Sequence, residues 1–74
     1  MTTNPQTSAP TMLHYLIDDA TQTIYYCAEI PEDRHDLIYI DSSSNLNPKA
    51  AAAFFMQRGK VKQGFRLRNL DDEQ

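Results

Sequence analysis

With one cysteine in the whole chain, Cys27, no intramolecular disulfide or multi-cysteine zinc site can form, and small secreted folds commonly depend on such staples. A reducing compartment is therefore expected, and the chain reads as a cytoplasmic protein. Glycine is nearly as scarce. Gly59 and Gly64 are the only two, and they make neither a phosphate-binding loop nor a dinucleotide fingerprint. Long apolar runs are also missing: no stretch approaches the roughly 18 residues of a membrane span, and the start of the chain lacks the basic and apolar regions of a signal peptide.

Seventy-four residues leave room for one core, in the size range where a chain buries only about 60% of its unfolded surface. Residues 1–10 are mostly Thr, Asn, Gln, Ser and Pro, with too little apolar surface to offset the entropy of ordering, so they read as a disordered leader. The expected domain spans residues 11–70, and residues 71–74 form an acidic, flexible tail.

Within that domain the hydrophobic pattern switches period in the order β-β-β-α-β. Residues 11–18 alternate, with Leu13, Tyr15 and Ile17 on one face and Met12, His14 and Leu16 on the other. Residues 23–30 alternate again, Ile24, Tyr26, Ala28 and Ile30 forming the expected core face. The short polar gap between the two runs predicts a hairpin. Pro31 lacks the N–H that a continuing ladder needs and ends the second strand. Residues 37–41 suit a third strand. Asn47 followed by Pro48 predicts a helix start, since proline at the first helical position gives up an N–H that has no partner there anyway. Gly59 is placed to close that helix, with Ala51, Ala52 and Phe55 on its buried face. Residues 60–69 then alternate, Val61, Phe65 and Leu67 inward and Lys60, Lys62, Arg66 and Arg68 outward, which predicts a half-buried strand. Gly64 on its outer side suggests a bulge or a close backbone approach. The expected fold is a small two-layer α+β domain, a mostly antiparallel four-stranded sheet with one helix on one face and the other face open.

Signals of catalysis are weak. Cys27, His14 and His35 could serve as nucleophile, base or metal ligands, but a small strand side chain, a strand histidine and a loop histidine explain them more simply. The acid pairs Asp18-Asp19 and Glu32-Asp33 fall where turn chemistry already favours carboxylates. The chain thus reads as a non-enzyme without cofactor or metal.

Charge is the most informative feature. Residues 1–57 hold two cations against seven acids, whereas Arg58, Lys60, Lys62, Arg66 and Arg68 follow with no acid among them. On one strand face these cations would make a stripe roughly 27 Å long at about 3.3 Å per residue, able to track an acidic protein surface or a phosphate backbone. The same residues could instead guard a strand edge against aggregation. Tyr25, opposite Tyr26 in direction, would add an exposed aromatic platform, with Tyr15 or Tyr39 beside it. Such a platform suits single-stranded bases and protein hot spots alike. The net charge of −3 favours a protein partner, because dedicated nucleic-acid binders are usually basic as a whole.

The run Ala28-Glu29-Ile30-Pro31-Glu32 at the end of the hairpin, followed by a strand and an alanine-rich helix, resembles the N-terminal domain of HicB-type antitoxins over about half the chain. Residues 42–47 replace the glycine-rich segment usual before that family's helix. The resemblance implies a toxin-binding partner domain. In type, a compact acidic chain with a polar leader also looks like the small phage proteins that disable host machines, such as RNA polymerase inhibitors and anti-CRISPR proteins. The leading expectation is a regulator or inhibitor docking on a larger bacterial nucleic-acid-handling complex. A single-stranded nucleic-acid-binding module is the alternative from another class.

Overall fold

The computed structural model describes residues 12–73; the leader expected over residues 1–10 lies outside them. Strand β1 (Leu13–Asp18) and strand β2 (Thr23–Cys27) form an antiparallel hairpin, with Tyr15 opposite Tyr26 and Ile17 opposite Ile24. The turn is built by the side chains the sequence placed there. Asp18 Oδ1 accepts from the Ala20 N–H at 3.1 Å, and the Thr21 and Thr23 hydroxyls meet at 3.0 Å. Gln22 takes a positive φ of 53°, and its carbonyl accepts from the Arg66 N–H at 2.9 Å, so the turn also anchors the last strand.

Strand β3 (Ile38–Ser43) pairs antiparallel with β1, and strand β4 (Arg66–Asn69) pairs parallel with β2. The sheet order is β3-β1-β2-β4. It is thus a mixed sheet with two antiparallel ladders and one parallel, and β3 and β4 are its edges. The chain must travel from one edge to the other and re-enter in the same direction. A helical crossover does this: helix α1 (Pro48–Gln57).

Both ends of α1 form as the sequence predicts. The Asn47 side chain accepts from the N–H groups of Lys49 and Ala50 at 3.1 and 3.4 Å, satisfying two donors that have no partner within the helix. At the other end the Gly59 N–H reaches the Met56 carbonyl at 3.1 Å and the Lys60 N–H the Phe55 carbonyl at 2.9 Å. With Gly59 at φ 77°, this is a Schellman closure. Ala51, Ala52 and Phe55 are the buried residues of the helix. They join Leu13, Tyr15, Ile24 and Val61 in the main core, flanked by Ile17, Tyr26, Ile40, Met56, Phe65 and Leu67.

The structure corrects the sequence reading in several places. β2 stops at Cys27, whose partner His14 is the last residue of β1 to pair with it. Ala28 and Ile30 are therefore exposed rather than core. Only the last four residues of 60–69 form a strand. Lys60 is held in the helix closure and residues 61–65 return the chain to the sheet, with Gly64 at φ 94° in a turn. An added Cβ at Gly64 would meet nothing within 4 Å, so its freedom of φ explains the glycine and close approach does not. Val61, Phe65 and Leu67 still face the helix core as expected, the first two from the loop.

The second face of the sheet is not open. Leu37, just before β3, and Leu70 cover Leu16, Tyr25 and Cys27 to make a second buried cluster. Leu70, expected as the last residue of the domain, is completely buried and begins a 3₁₀ helix, Leu70–Glu73, which runs into the stretch expected as a flexible tail over residues 71–74.

Candidate functional site

The five cations do not form one stripe. Arg58 is the C-cap of α1, and its guanidinium lies 4.8 Å from the centroid of the exposed Phe54 ring, a cation–π contact that uses a residue left outside the core. Lys60 Nζ meets Asp41 Oδ2 at 3.0 Å on β3, at the opposite edge from β4. Together with the Ser42 N–H, which Asp41 Oδ1 accepts at 2.8 Å, Lys60 holds the Asp41 carboxyl below the usual carboxylate range; the backbone bond contributes most. Lys60 is thus committed to bracing the helix closure against β3.

Lys62 is exposed in the returning loop, and Arg66 and Arg68 are exposed on β4. The parallel register sets Arg66 beside Thr23 and Arg68 beside Tyr25, so both arginines stand on the face away from the helix, spaced about 6–7 Å along the strand. A shallow hollow of about 300 Å³ lies at the same edge, lined by Tyr26, Leu67, Arg68, Asn69 and Asp72. Sequence reasoning found the arginines but not the hollow, because Asp72 reaches it only through the unforeseen 3₁₀ helix.

The aromatic platform is also corrected. Tyr25 does point away from the helix, but Leu37 and Leu70 share its cluster and leave it 9% exposed. Tyr15 lies in the helix-side core against Phe55. Only Tyr39 stands out, 46% exposed on β3, with its hydroxyl 3.2 Å from His14 Nδ1.

His14 and Cys27 are cross-strand partners, yet they make a poor base and nucleophile. His14 is engaged with Tyr39, and Cys27 is buried with its thiol pKa pushed up, first by desolvation and then by the charge of Asp71. A raised thiol pKa lowers the thiolate fraction that reactivity needs. His35 sits in the exposed loop, where its neighbours Arg34 and Asp36 form a two-pronged ion pair at 3.0 and 3.1 Å. Among the described residues, no group of three or more His, Cys, Asp or Glu side chains is placed to hold a metal ion, and no helix is long and apolar enough to cross a membrane. Comparison with protein-family models, curated proteins and solved structures returns no match.

Proposed function

We propose that this chain is a small non-enzymatic regulator that docks onto a larger nucleic-acid-handling protein complex through the β4 edge of its sheet. The observation that carries the reading is the pair Arg66 and Arg68, exposed on one face of an edge strand, with Lys62 in the adjoining loop. His14 is engaged with Tyr39, and Cys27 is buried. Machines of the RNA polymerase or CRISPR-effector kind, which a phage-encoded inhibitor would target, are the partner class in view. A net charge of −3 supports protein contact over direct contact with nucleic acid. Burial of Tyr25 weighs the same way, since a base-stacking platform needs its ring exposed.

Charge reversal tests the reading. Arg66→Glu with Arg68→Glu should weaken capture of the partner from bacterial lysate by about tenfold or more and flatten its salt dependence. Both side chains are exposed, so the fold should survive, as circular dichroism would verify. Undiminished capture by the double variant would remove the β4 edge from the account. A gel shift with single-stranded RNA or DNA at low salt, lost in the same variant, would transfer the edge to nucleic acid.

A further inference from the structure

We infer that the free edge of β4 takes up an extended acidic segment of the partner by strand addition, its carboxylates at alternate positions facing Arg66 and Arg68. This rests on the docking role proposed above and specifies its chemistry.

The backbone makes the first part of the case. The Arg66 N–H points inward to the Gln22 carbonyl. Peptide groups alternate in direction along a parallel ladder, so Arg66 and Arg68 bond toward β2, while Leu67 and Asn69 turn their N–H and C=O groups to the side where, among the described residues, no strand pairs. An incoming strand would find those groups waiting. The side chains make the second part. Beside Leu67, a partner strand would place its two flanking residues next to Arg66 and Arg68, on the face away from the helix, where opposite charges across strands are favourable. The residue directly opposite Leu67 would lie over the hollow lined by Tyr26, Leu67, Arg68, Asn69 and Asp72. Arg68 and Asp72 bring opposite charges to that hollow, so it has no net preference for a carboxylate, and the Tyr26 and Leu67 side chains favour an apolar residue. The preferred pattern is therefore acid, apolar, acid.

Other occupants fit less well. A second copy of β4 would set arginine against arginine, and like charges directly opposite are destabilising. The other edge is a poorer receptor for an acidic strand. In β3 the register slips between Leu16 and Tyr15, leaving Ile40 without a partner, and the strand carries Asp41.

The test uses the isotope-labelled full chain and a short peptide of alternating glutamate and valine, with an alternating lysine and valine peptide and an oligo-dT strand as comparisons. The acidic peptide should bind at least about tenfold more tightly than the basic one. It should also slow hydrogen exchange at the Leu67 and Asn69 amides, and Arg66→Glu should abolish both effects. Binding without protection of those two amides would overturn strand addition while leaving the docking edge in place. Equal affinity for the basic peptide, or tighter binding of oligo-dT, would overturn the acidic-segment assignment. The docking role itself fails separately, if the double arginine variant still captures its partner.

Discussion

The two faces of the sheet are covered in different ways. On one, a ten-residue helix with capped ends lays Ala51, Ala52 and Phe55 over Leu13, Tyr15 and Ile24. On the other, single leucines, Leu37 from the loop before β3 and Leu70 from the 3₁₀ helix, shelter Leu16, Tyr25 and Cys27. The first face is held by a cooperative unit in which each contact supports the next. The second is closed by two leucines from short segments, and a thin cover of that kind can open locally without unfolding the domain.

Truncating the anchor of each face measures the difference. Phe55→Ala should cost about 3–5 kcal/mol, the usual range for a buried phenylalanine. Small domains hold only about 5 kcal/mol or somewhat more, so a large share of this variant should be unfolded before denaturant is added. Leu70→Ala should cost about 2 kcal/mol, the low end of the range for leucine, because a terminal 3₁₀ turn can collapse into the space left behind. Urea unfolding followed by circular dichroism reads both. If Leu70→Ala is as damaging as Phe55→Ala, the second face is as integral to the core as the first and the contrast fails.

The contrast also explains what could be read from the sequence. The helix was legible at both ends because Asn47-Pro48 and Gly59 act locally: a side-chain oxygen takes two free N–H groups, and a glycine turns the chain at φ 77°. The alternation of β1 and β2 was legible for the same reason. Leu37 was expected to open the third strand, which in fact starts at Ile38, and Leu70 belongs to no periodic run; the covering role of each depends on which face the chain happens to cross. The supposed strand over residues 60–69 failed where two local signals competed. Alternation favoured a strand from Lys60, whereas the helix closure had already taken the Lys60 N–H for the Phe55 carbonyl. The cations then separated, Lys60 to Asp41 on one edge and Arg66 and Arg68 to the other. Composition located the basic segment, and only topology could divide it.

Within the helix-covered face one atom works against stability. Tyr15 is fully buried, its ring edge-on to Phe55 at 5.1 Å, and among the described residues its hydroxyl has no hydrogen-bond partner. Leaving such a group unsatisfied costs about 1–3 kcal/mol. Tyr15→Phe keeps the ring contacts and removes the hydroxyl, so it should be neutral or stabilising by up to about 1 kcal/mol. A clear loss in urea unfolding would mean that the hydroxyl contributes to the better-built face.

The smallest effect is electrostatic and separates the faces by pH. Each holds a buried acid whose pKa is raised: Tyr15 under the helix, above the ordinary 10.0 by burial and then by Tyr26, and Cys27 on the other face, above 9.0 by burial and then by Asp71. In both cases the unfolded chain loses its proton first. The stability each contributes is therefore complete below the unfolded value and lost as pH rises through the folded one. The Cys27 face should weaken first, from about pH 9, and the Tyr15 face from about pH 10. Unfolding midpoints measured across this range should decline less steeply in Cys27→Ala at the lower step and in Tyr15→Phe at the upper. Asp71→Asn should soften the first step alone, because only on that face does a carboxylate from the 3₁₀ helix oppose ionisation of the buried group. An unchanged first step in that variant would detach Asp71 from Cys27, and with it the view that the acidic end of the chain helps close the second face.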